Sequence, residues 1–231
     1  MFIPLKDLNP RRTFPIINTL LIITNVVVFL YQLALPVRTE TALAMAFGTV
    51  PARFPSFLVG HASFEAAFLP LITSMFLHGG ILHLVGNMLF LWIFGDNIED
   101  YFGHLGYLLF YLAGGIGGGL LHVLFNINSG VPAIGASGAI AGVLGAYIIL
   151  YPGARILTLV FIFPVPLPAI IVLGLWFVLQ VLEAFNTLGL GPKATGGVAL
   201  WAHVGGFLIG LLITRSALNR GRRPRLSRAQ L

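Results

Sequence analysis

The chain has 231 residues, of which 58% are hydrophobic and only 9% charged, with a mean hydropathy of +0.96. A soluble domain carries roughly a quarter charged residues, so a water-soluble globule is excluded. The net charge of +6 sits at the two ends, with no aromatic residues among the C-terminal arginines, so nucleic acid is not an expected partner; the lack of cysteine removes thiol nucleophiles, disulfides and thiolate metal sites.

Residues 1–13, with Lys6, Arg11 and Arg12, read as a cytoplasmic N-terminal segment. The first span covers about 14–35, a stretch with no charge. About 20 apolar residues cross a bilayer, and a cleaved signal peptide has a shorter apolar region of about 7–15, so this is a retained helix. Residues 36–69 mix Arg38, Glu40, Arg53, His61 and Glu65 with apolar residues and prolines, which suits an outer interfacial loop with amphipathic helices. The second span runs about 80–96 and the third about 104–125, joined by a polar cytoplasmic turn from Gly95 to Asp100. After an outer loop at 126–132, the fourth span covers about 137–151 and is followed by Arg155 on the cytoplasmic side. Residues 156–163 are apolar but run into Pro164, Pro166 and Pro168, so the fifth span starts near Leu167 and ends near Phe185. The sixth is about 197–214, and 215–231 is a basic cytoplasmic tail.

Lysine and arginine mark the cytoplasmic side of membrane spans. Of the thirteen basic residues, Lys6, Arg11, Arg12, Arg155, Arg215, Arg220, Arg222, Arg223, Arg225 and Arg228 fall there in this topology. The expectation is an all-α polytopic bundle of six helices with both termini cytoplasmic, in the inner membrane if the host is bacterial. No internal repeat supports an inverted-repeat transporter.

The fourth span is short. About 15 helical residues cover roughly 22 Å of a hydrocarbon core about 30 Å thick. One end then stops inside the membrane, which is tolerated only beside a water-filled cavity. Its outer end is Gly135, Ala136, Ser137 and Gly138.

Polar residues within spans are costly and commonly functional. Four stand out: His83 and Asn87 on the second span, Ser137 opening the fourth, and His203 near the outer end of the sixth. His83 and Asn87 are four apart and share a helix face. Small residues at Gly138, Ala141, Gly142 and Gly145 on span four, and at Gly205, Gly206 and Gly210 on span six, let the two helices approach closely. That packing brings the His203 imidazole within reach of the Ser137 hydroxyl. A serine becomes a nucleophile when a base about 2.6–3.2 Å away takes its proton, and the oxyanion then needs donors aimed at it. Asn87, His83 and the Ser137 N–H are suitable donors.

Gly135-Ala-Ser137-Gly138, His83-Leu-Val-Gly-Asn87, His203-x-x-Gly206-x-x-x-Gly210 and Phe76-Leu-His78-Gly-Gly resemble the rhomboid intramembrane serine proteases over roughly residues 14–214. The resemblance implies Ser137 as nucleophile, His203 as base, and His83 with Asn87 around the oxyanion. It also implies cleavage of the transmembrane segments of other proteins near the outer boundary, within membrane lipid and with no cofactor. One departure is plain: several family members carry a tyrosine four residues after the serine, stacked on the histidine, and here that position is Ala141.

Other readings stand beside this one. Gly-x-Ser-Gly alone is more often helix packing, and Ala139 breaks the Gly-x-Ser-x-Gly nucleophile elbow. His78, His83 and His203 could meet at zinc, but the helical His-Glu-x-x-His signature is absent. A non-catalytic protein that escorts membrane clients is the alternative from another class, opposed by retention of both Ser137 and His203. His104 and His122 read as interfacial, His61 as a loop residue, and His78 as a liner of the water path or a cap. Of the seven carboxylates, Glu183 is the one placed to approach His203, and a solvated helix-end role is expected for it, leaving a Ser–His dyad.

Overall fold

In the computed structural model, which describes residues 2–186 and 199–222, the first apolar stretch folds as helix α1 (Ile16–Leu33). Its buried face holds Asn18, Leu21, Asn25, Phe29 and Gln32, while Leu20, Ile23, Val27 and Leu30 are exposed. A helix of a soluble protein buries its apolar stripe. Here the amides face inward and the aliphatic side chains outward, as lipid requires.

The expected interfacial region becomes a run of short helices, α2 (Val37–Phe47), α3 (Arg53–Leu58), α4 (Phe64–Phe68) and α5 (Pro70–Thr73), ending in a 3-10 turn at Ser74–Phe76. Phe54, Phe57, Phe64 and Phe68 pack together, and the Arg53 guanidinium donates to the carbonyls of Met45 (2.5 Å) and Ala66 (3.4 Å).

Helices α6 (Ile81–Phe102) and α7 (His104–Phe125) follow, broken at Gly103, whose φ of 73° suits a residue without a β-carbon. The polar turn expected at Gly95–Asp100 is instead the last part of α6. Those side chains stay helical because they are a socket for the N-terminal segment. Glu99 accepts from the N–H groups of Ile17 (2.9 Å) and Asn18 (2.8 Å), and Asp100 from those of Arg12 (2.6 Å) and Thr13 (2.9 Å). The first N–H groups of a helix have no partner within it, so a carboxylate from a neighbour satisfies both hydrogen bonding and dipole at the start of α1. His104, expected at an interface, closes on Glu99 at 2.5 Å.

At the centre lies α8 (Ser137–Leu150), buried along nearly its whole length between α6, α7 and the last helix, α10 (Leu200–Asn219). Helices α1, α6, α7, α9 (Ala169–Asn186) and α10 are long and apolar enough to cross a membrane, and α8, at 14 residues, is the short member. Together they make the expected six-helix polytopic bundle. The sixth helix runs beyond residue 214 to Asn219, so Arg215 belongs to the helix; Arg223, Arg225 and Arg228 lie outside the described residues.

A small sheet was not anticipated. Strands β1 (Phe2–Asp7), β2 (Arg155–Val160) and β3 (Phe163–Pro168) form an antiparallel sheet in the order β1-β2-β3, with Phe2 opposite Val160 and Arg155 opposite Pro168. Pro164, Pro166 and Pro168 look like breakers in the sequence. On an edge strand their alternation turns every missing N–H toward the open side, so the ladder to β2 survives.

Candidate functional site

The site is built where α8 meets α10. Gly206 and Gly210 face the backbone of α8: a β-carbon on either would collide with the carbonyl oxygen of Gly138 or Gly142 respectively. On the far side, a β-carbon at Gly205 would lie 3.0 Å from the Gly118 α-carbon of α7, so α10 is wedged between two glycine-bearing helices. Only glycine permits backbones this close.

This contact fixes the distance that matters. His203 Nε2 lies 2.7 Å from Ser137 Oγ, within the range for proton transfer. Ser137 is the first residue of α8, and the first intrahelical bond is donated by Ile140 to Ala136. The N–H groups of Ser137, Gly138 and Ala139 therefore precede the helical ladder and sit at its positive end.

The approach to Ser137 is held by a strap from the first loop. Thr49 and Ala133 exchange backbone hydrogen bonds (2.9 and 2.8 Å), and the Gly135 N–H donates to the Ser74 carbonyl (2.9 Å). Gly135 has φ 128°, and a β-carbon there would stand 2.8 Å from His83 Nε2. Positive φ and the pressing imidazole both demand glycine. His83 Nδ1 accepts from the Gly79 N–H at 3.4 Å, which leaves Nε2 as the N–H side of a neutral ring. Asn87 Nδ2 points to the same place and has no protein partner among the described residues. Two side-chain donors thus converge beside the loop that leads into Ser137.

All four residues singled out in the sequence are therefore gathered at one end of the bundle. His78 is fully buried, its backbone paired reciprocally with the Gln32 amide (3.0 and 3.2 Å) and its ring centroid 5.2 Å from that of His83. Among the described residues, no cluster of three or more His, Asp or Glu is arranged to hold a metal. Glu183 is exposed on α9.

Two residues at the site were missed. Gln180 Oε1 lies 2.5 Å from His203 Nδ1, and the Trp176 ring lies 5.9 Å from the His203 ring at 31°. Both come from α9. With Ala141 four residues after the serine, the aromatic neighbour of the histidine is supplied by another helix. The available signal was an uncharged amide inside an apolar span, four residues from a tryptophan and so on its face.

Residues 65–220 match the Rhomboid domain. The chain is 33% identical over 168 residues to Rhomboid protein 1, mitochondrial, of Saccharomyces cerevisiae, covering 70% of this chain and 46% of that protein. It is 38% identical over 143 residues to RHOMBOID-like protein 6, mitochondrial, of Arabidopsis thaliana, covering 62% and 41%. A shorter match, 47% over 76 residues, joins it to the Rhomboid protease GluP of Bacillus subtilis, covering 33% and 14%. The matched regions span less than half the length of each of these relatives.

Proposed function

The chain belongs to the rhomboid family of multi-pass membrane proteins, and from that premise we propose that it is an intramembrane serine endopeptidase working through Ser137 and His203. The observation that carries this reading is the 2.7 Å contact between His203 Nε2 and Ser137 Oγ at the start of a helix too short to span the bilayer. Ser137 Oγ attacks the scissile carbonyl carbon as its proton passes to Nε2. The oxyanion is met by the Ser137 N–H, Asn87 Nδ2 and His83 Nε2. Collapse of the tetrahedral species breaks the C–N bond, and the imidazolium returns its proton to the leaving amine. A water, activated by the same base, then hydrolyses the acyl-serine. A cavity of about 30 Å³ lined by Thr49, Ser74, His122 and Ser137 has room for one water molecule.

The substrates are transmembrane segments of other proteins, cut near the outer boundary within the lipid. The protease unit is the six-helix region 14–214, and the basic segments 1–13 and 215–231 face the cytoplasm. A labelled transmembrane peptide in proteoliposomes provides the test. Wild type is expected to cleave it with or without chelator, Ser137→Ala is expected to lose essentially all turnover while extracting and melting as wild type does, and a serine-directed phosphonate is expected to label Ser137. Full activity in Ser137→Ala, or labelling at another serine, rejects the assignment.

A further inference from the structure

We propose that Gln180 is a positioning residue for the base, an uncharged third member that selects the tautomer of His203; this rests on the protease reading above. An amide oxygen has no proton to give, so across the 2.5 Å contact Nδ1 must be the N–H and Oε1 the acceptor. A neutral imidazole with its proton on Nδ1 presents a lone pair at Nε2, the atom 2.7 Å from Ser137 Oγ. The opposite tautomer would point an N–H at the serine and could not take its proton. The Gln180 carbonyl thus does for the ring what an aspartate does in a soluble triad, where the wrong tautomer costs about 10⁴ in turnover.

An amide suits this place better than a carboxylate. His203 is buried, and a buried carboxylate is expensive unless fully paired. The amide dipole fixes the same proton without an ion, and it gains strength as positive charge develops on the ring. Glu183, on the same helix, is exposed.

The grip has two points on one helix. Trp176, one turn before Gln180, lies beside the imidazole, while Gln180 holds its edge. Immediately next to these, Phe177 stacks on Phe207 at 4.1 Å and 15°, and Phe207 is one turn beyond His203. That stack sets the register of α9 on α10, so the amide is delivered to Nδ1 by a packed joint. Among the described residues, the other titratable groups whose charge reaches His203 are His83 on α6 and His122 on α7, which are shared by every variant below.

The test uses the full chain labelled with ¹⁵N-histidine in proteoliposomes, with the His203 signals assigned through His203→Ala. Wild type is expected to carry its proton on Nδ1 of His203 and to leave Nε2 bare. Gln180→Leu is expected to mix the tautomers and to lower kcat roughly tenfold to a hundredfold, the scale seen when an orienting partner of a metal-bound histidine is removed. KM and the melting temperature should hardly move. Gln180→Glu is expected to recover most of that kcat at alkaline pH. Because a nearby anion favours the charged ring, its acidic limb should move to higher pH by about one unit. A pure Nδ1–H tautomer in Gln180→Leu, a wild-type kcat in that variant, or a Glu variant no better than Leu each overturns the proposal. A wild type that cleaves nothing rejects the protease reading and leaves the tautomer measurement to judge Gln180 alone.

Discussion

Asp7 and Tyr147 meet at the end of the bundle away from Ser137. The Tyr147 hydroxyl donates to Asp7 Oδ2 at 2.6 Å, and burial pushes the Asp7 carboxyl up from 3.8 to about 7, helped by the charge of Asp96. A carboxyl whose folded value lies above its unfolded one adds stability in its protonated state. That stability is complete below about pH 4 and is lost as the pH rises through about 7. Wild type is therefore expected to melt several degrees lower at about pH 8 than at about pH 5, while Asp7→Asn, neutral throughout, should show a flatter profile. Thermal melts of both proteins across that range decide it, and equal slopes would reject the assignment. The readable residues at this scale were those whose polarity is anomalous in a span. Ser137, His203, His83 and Asn87 declared themselves that way. Gln180 did not, because a search for a partner to the histidine looks for charge, and the residue that touches Nδ1 has none. Nor did Asp7, whose partner is 140 positions away.

At the scale of helices, α8 against α10 determines whether the site exists. Gly206→Val is expected to push the backbones apart, at a cost of about 1–3 kcal/mol from overpacking. A shift of about 1 Å between reacting groups can cost roughly a hundredfold in rate. Lower activity and a lower melting temperature should therefore appear together. Gly174→Ala is the matched control, since a β-carbon there meets only Ile148 Cδ1 at 4.0 Å. Wild-type kinetics in Gly206→Val would show that the contact does not set the Ser137–His203 distance. This packing was legible because small residues recur every four positions in both helices. The sheet was not, since its prolines resemble breakers until their edge position is known, and the end of α6 was not, since its acidic residues look solvated until α1 is seen to start on them.

For the whole molecule, the distribution of side chains is that of a lipid-immersed body. Amides line the inner face of α1 and aliphatic residues its outer face; the tip of the β2–β3 hairpin leaves Phe161 and Ile162 74% and 78% exposed. In the proposed topology an even number of crossings sets both termini on one side, which the basic residues mark as cytoplasmic. The chain has no cysteine, so single cysteines report topology without background. In sealed cells, Pro10→Cys and Gly221→Cys are expected to react with an impermeant maleimide only after permeabilisation, and Ser129→Cys beforehand. Reaction of position 10 and position 221 on opposite sides would break the six-crossing topology. The six-helix bundle and its short fourth member were legible from hydropathy and length alone, because the bilayer constrains both.

The pairing of Phe2 with Val160 also sets a schedule for biosynthesis. Chains elongate at about 5–20 residues per second, so β1 waits roughly 8–30 s after leaving the ribosome before its partner strand emerges. By then the serine-bearing helix, Ser137–Leu150, has already been synthesised. Closure of the sheet is a long-range step, and long-range pairing is intrinsically slow. The N-terminal strand thus acts as a latch that can shut only after the central helix has been made.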